Sequence, residues 1–141
     1  MQSKLAPSLI GIALLVALGV AFASASAAGA RSSAPAAQSV NLQIPLKGRR
    51  TFARAAGSSQ YQSQPGQSEF QAEVEHVRAL AGKQLLVKVN GTTIGKMKVS
   101  SLGQADLTLN SELGQSVPTI TGGSAVKVTT STGAVVVSGR Y

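Results

Sequence analysis

From residue 69 to residue 76 the chain puts Phe70, Ala72, Val74 and His76 on one parity and Glu69, Gln71, Glu73 and Glu75 on the other. A strand sends successive side chains to opposite faces, so this segment has one apolar face and one acidic face. A helix, at about 3.6 residues per turn, would mix the two classes around its circumference. The same period recurs upstream in Val40, Leu42, Ile44 and Leu46, where Pro45 has no N–H to give a neighbour and so points to an edge strand. Downstream it recurs in Leu85, Val87 and Val89 and in Ala105, Leu107 and Leu109.

The turns between these segments are equally legible. Asn90-Gly91 is the strongest hairpin signal, because both residues tolerate the positive φ of a type I′ turn, and it predicts a return strand from Thr92 to Val99. A short strand is expected around Tyr61, from Gln60 to Gln62, with a turn at Pro65-Gly66; Ala81-Gly82 and Gly103 mark further turns. After a polar loop from Asn110 to Ser116, Val117 to Ile120 reads as extended and Gly122-Gly123 as a turn. Val126 and Val128 are then expected to pair with Val135 and Val137 across Ser131-Thr132-Gly133. About seven or eight short strands with turns roughly every ten residues predict an all-β fold, either a small antiparallel β-sandwich (Ig-like) or a closed barrel. The expected core is Phe70, Val74, Leu85, Val87, Leu107, Val126 and Val135, each on the apolar parity of its strand.

The first residues read as an address rather than as part of that fold. Lys4 precedes an uncharged run from Leu9 to Ala23, and Ala23-Ser24-Ala25 and Ala25-Ser26-Ala27 supply the small residues that signal peptidase accepts. The expected organisation is a signal peptide over 1–28, cleaved between Ala25 and Ala28, a flexible Ala/Ser/Pro linker over 29–39, and a β-sandwich domain over 40–141. That places the protein in a secreted or periplasmic location, with no membrane span after cleavage. An uncleaved N-terminal membrane anchor is the alternative, since a spanning helix needs about 20 apolar residues and the run approaches this if extended through Ala28.

Composition narrows the chemistry. The 141 residues include no Cys, 1 His, 5 Asp plus Glu and 13 Lys plus Arg, for a net charge of +8. Zero cysteine removes disulfides, thiolate metal sites, iron–sulfur clusters, thiol nucleophiles and lipid-modified cysteine together. A domain starting near Gly29 must therefore be held by its apolar core alone. The excess positive charge makes polyanionic surfaces plausible neighbours.

Three stretches are similar to their counterparts in a set of small exported bacterial β domains of unassigned function. They are Val89-Asn90-Gly91 with Gly95, Leu102-Gly103-Gln104-Ala105-Asp106-Leu107, and Gly114 to Ile120 followed by Gly123 and Val126. The resemblance covers Gly57 to Tyr141 and implies a shared fold. It brings no catalytic motif, and the basic segment before Gly57 lies outside it.

Few residues offer chemistry. His76 is the single histidine and Asp106 the single aspartate, and no Gly-x-Ser-x-Gly elbow is present, so no catalytic residue is expected and His76 is read as capping the core at a strand end. Glu69, Glu73 and Glu75 project from one strand face, and the outer two stand about 20 Å apart along a strand that rises about 3.3 Å per residue. Such a row neither converges on a cation nor pairs for acid–base work, so no metal and no cofactor is expected. Cross-strand pairing with Lys88, Lys96 or Lys98 is the expected use of these glutamates.

Lys47, Arg49, Arg50 and Arg54 form the densest charged cluster, with Phe52 among them and Gly48 loosening the backbone. Arginine offers two-pronged geometry for phosphate or carboxylate, so this cluster is the candidate polyanion site, with anionic polysaccharide or phosphate as ligand. Specific nucleic-acid binding is not expected, because Phe52 alone is a thin stacking platform. The plain alternative is a solvated loop that guards an edge strand. The leading expectation is thus an exported, non-enzymatic β module with a binding or structural role at the cell envelope or outside the cell, its partner a protein or an envelope polymer. Polyanion binding through Lys47 to Arg54 is the second reading, and a hydrolase the third.

Overall fold

A computed structural model describes residues 38–141. The expected signal peptide, its cleavage point and the linker as far as residue 37 lie outside the described residues. The chain forms eight strands: β1 (Val40–Gly48), β2 (Ala56–Gln64), β3 (Gln67–Glu75), β4 (Gln84–Val89), β5 (Thr92–Lys98), β6 (Ala105–Asn110), β7 (Ala125–Thr130) and β8 (Val135–Arg140). They make a single antiparallel sheet in the order β5-β4-β7-β8-β1-β2-β3-β6. Of the two expected all-β architectures, the sheet takes the barrel form and is nearly closed. Its end strands, β5 and β6, meet where Gly95 leaves room for Leu107: a Cβ on Gly95 would stand 2.5 Å from Leu107 Cδ2.

The period of two becomes an inside and an outside. Phe70 and Val74 from β3, Leu85 and Val87 from β4, and Val126 and Val128 from β7 are fully buried, and Ile44, Leu46, Tyr61, Met97 and Leu109 join them in one cluster. Burying one such side chain stabilises the fold by about 1.5–3 kcal/mol. The alternate positions, among them Gln43, Lys47, Gln71, Glu73, Lys96, Lys98 and Lys127, are exposed. Apolar inside and charged outside is the reverse of the arrangement in a barrel that faces lipid. Among the described residues no helix is long and apolar enough to cross a membrane.

Several expectations need correction. β1 is not an edge strand, since it lies between β8 and β2, although its ladder with β8 is confined to Lys47↔Ser138 and Gly48↔Val137. Pro45 sits beyond the end of that ladder, where no N–H is required of it. His76 is exposed and in the left-handed region, with φ 61°, so the alternation of β3 stops at Glu75 and the next buried residue is Val77. Val117 to Ile120 forms no strand, although Ile120 is buried. In β8 a bulge skips Val136, because Val128 pairs with Val137 and Thr129 with Val135. Val136 and Val137 are therefore both fully buried, Val135 is half-buried rather than core, and Val126 pairs with Gly139; Leu107, also expected in the core, is half-buried against it.

β2 runs over nine residues where only Gln60 to Gln62 was expected, because small and polar residues hold most of its inward positions. Ser59 is buried beneath Tyr141, the two hydroxyl oxygens lie 2.6 Å apart, and Ser59 Oγ donates to the Gln71 carbonyl at 3.2 Å. With its own proton given to Gln71, Ser59 accepts from Tyr141. The hairpins close as their residues predict: Asn90 has φ 50° and Gly91 φ 89°, and Gln64 pairs with Gln67 across Pro65-Gly66.

Candidate anion-binding face

Strand order decides which outward side chains become neighbours. Lys88 on β4 stands directly opposite Lys127 on β7, Lys127 opposite Ser138 on β8, and Ser138 opposite Lys47 on β1. Between Lys127 and Lys47 a cation fills the place that Ser138 leaves: Arg49 donates from Nε to Ser138 Oγ at 2.7 Å. Arg49 is also held by its backbone, whose N–H bonds the Val136 carbonyl at 3.0 Å. Lys88, Lys127, Arg49 and Lys47 thus form one row across β4, β7, β8 and β1, roughly 14 Å wide at about 4.8 Å per strand.

The loop after β1 is folded tightly to reach this position. A Cβ on Gly48 would overlap the carbonyl oxygens of Phe52 and Ala55, so only glycine lets the chain turn there. Arg50 opens the following 3-10 turn, Arg50–Phe52, in the left-handed region with φ 47°, a conformation that costs a non-glycine residue about 1–3 kcal/mol. Phe52 is half-buried and packs on the core. Between this loop and the β7–β8 hairpin lies a groove of about 870 Å³, lined by Arg49, Arg50, Phe52, Lys127, Val135 and Ser138 together with Gly48, Thr51, Gly133 and Ala134.

Of the four basic residues singled out by sequence, Arg49 and Arg50 line the groove, Lys47 ends the row, and Arg54 is exposed in the turn beyond Phe52, outside the groove lining. Lys127 and Lys88 were missed. Each is legible as an outward residue between buried valines, but only the pairing of β4 with β7, and of β7 with β8, brings them to Arg49.

The glutamates do not meet lysines as expected. β3 lies between β2 and β6, whereas Lys88, Lys96 and Lys98 are on β4 and β5. Glu73 faces Ser58 and Asp106, Glu75 faces Ala56, and Glu69 faces Gln62 and Asn110. Glu69 takes its hydrogen bonds from the side-chain amides of Gln71 and Asn110. Among the described residues no group of three or more His, Cys, Asp or Glu is placed to hold a metal ion. Comparison with protein-family models, with curated proteins and with solved structures finds no match.

Proposed function

We propose that the protein is an exported, non-enzymatic β-barrel module that binds an anionic polymer of the cell envelope or its surroundings through the face built on Lys88, Lys127, Arg49 and Lys47. The observation that carries this reading is the register that sets Lys88 directly against Lys127 and seats the Arg49 guanidinium on Ser138 beside them. Like charges directly opposite one another destabilise a sheet, so the opposed pair Lys88 and Lys127 adds nothing to folding. A line of phosphates, sulfates or carboxylates neutralises all four cations at once. The alternative of a loop that guards an edge strand loses its basis, because β1 is interior to the sheet and the edges are β5 and β6.

Retention of the protein on an anionic matrix and on cell-wall material tests the reading. Arg49→Ser combined with Lys127→Ser is expected to abolish retention near physiological salt, whereas Arg54→Ser combined with Lys98→Ser, which removes the same two charges outside the groove, leaves most of it. Equal loss in both variants would reduce the effect to net charge and remove the site. Export is checked separately, by intact mass of the protein recovered outside the cytoplasm. A mass that includes Met1 to Ala23 supports the anchor instead.

A further inference from the structure

The groove beside the cationic row has two kinds of wall. Arg49, Arg50 and Lys127 bring charge, while Phe52 and Val135 bring carbon, and its volume of about 870 Å³ is far larger than a single phosphate or sulfate requires. It falls within the roughly 300–1,000 Å³ of sites that hold organic ligands. A phosphate group needs a close cup of donors and gains nothing from an apolar wall. A sugar acid gains from both, because its ring carries an apolar face of C–H bonds and its carboxylate lies at the ring's edge.

The arginine is set for that carboxylate. Ser138 Oγ accepts a hydrogen bond from Arg49 Nε, which fixes the plane of the guanidinium, and its Nη groups make no hydrogen bond among the described residues. Two Nη N–H donors in one plane match the two oxygens of a carboxylate, a fit that lysine cannot reproduce. From these features, and resting on the polyanion reading above, we infer that the groove is a subsite for one carboxylated sugar ring of an acidic polysaccharide. The ring lies against Phe52 and Val135, and its carboxylate lies at Arg49 with Lys127 and Arg50 beside it.

Titration calorimetry on the full chain with three probes tests this: an oligogalacturonate, a neutral oligoglucoside of equal length, and polyphosphate. Oligogalacturonate is expected to bind, with Arg49→Lys weakening it about tenfold, since the charge is kept and the two-pronged contact is lost. Phe52→Leu keeps an apolar side chain on the core and is expected to weaken oligogalacturonate alone. Equal weakening of oligogalacturonate and polyphosphate by Phe52→Leu would overturn the sugar subsite and leave the basic face standing, and an unweakened Arg49→Lys would overturn the place given to the carboxylate. Binding of the neutral oligoglucoside as tight as that of oligogalacturonate would overturn the role given to the carboxylate. Unaltered oligogalacturonate affinity in Phe52→Leu would overturn the ring contact. If neither anionic probe binds, the subsite and the function proposed for the face fall together.

Discussion

Tyr141 shows how much one residue can depend on what it touches. Burial pushes its phenol above the ordinary value of about 10. A folded-state value raised above the unfolded one favours the protonated form in the fold. That stabilisation is complete below about pH 10 and is lost as pH rises through the folded value. Denaturation midpoints measured from neutral to strongly alkaline pH should therefore fall more steeply for the parent than for Tyr141→Phe, which has no proton to lose. At neutral pH the variant should cost about 1 kcal/mol, the usual worth of one hydrogen bond. Parallel pH profiles would show that the phenol is not held in the fold. Phe70 makes the complementary case. It is fully buried, as its parity predicts, and Phe70→Ala should lose about 3–5 kcal/mol in chemical denaturation through lost transfer energy and a residual cavity. A variant that melts with the parent would mean that the acidic parity of β3 is the inner one. At this scale the sequence was most readable where a side chain is large and apolar. It was least readable at Ser59, whose burial follows from a partner 82 residues away.

Among the elements, hairpins were legible and irregularities were not. Asn90-Gly91 announces its turn because few residues other than Asn and Gly occupy the left-handed region easily, and both do so here. A Cβ at Gly91 would meet nothing within 4 Å, so Gly91→Val isolates backbone strain from crowding. Thermal denaturation of that variant should show a loss of about 1–3 kcal/mol. No change would place the register of β4 and β5 under some other control. The bulge in β8 left no comparable mark. Val135, Val136 and Val137 are identical side chains, and nothing local says that the middle one is skipped and that the first is turned toward the groove. β2 escaped for a related reason: Gly57, Ser59 and Ser63 lack the apolar side chains from which a strand's inner face is recognised.

Across the whole molecule the organising fact is where charge collects. All 5 acidic residues lie on β3, on β6 or in the 3-10 turn Ser111–Leu113 that follows β6, whereas the row of cations crosses β4, β7, β8 and β1. Each half of this separation was visible as outward parity, but the separation itself depends on strand order, and the pairings of β1 with β8 and of β3 with β6 join distant parts of the chain. Stability offers a way to weigh the row apart from any ligand. Lys127→Gln and Lys98→Gln each remove one positive charge from an exposed strand position, yet Lys127 faces Lys88 whereas Lys98 faces Gln84. General self-repulsion of a chain with net charge +8 responds alike to both substitutions. Only Lys127→Gln relieves a directly opposed pair, so at low salt it should be the more stable variant by about 0.2–1 kcal/mol. Added salt should close the gap, since the screening length falls to about 8 Å at 0.15 M ionic strength and to about 3 Å at 1 M. Chemical denaturation of both variants at low and high salt measures the difference directly. Equal stabilities at low salt would show that the opposed lysines store no repulsion, and the argument that the row exists for a ligand would lose its energetic ground.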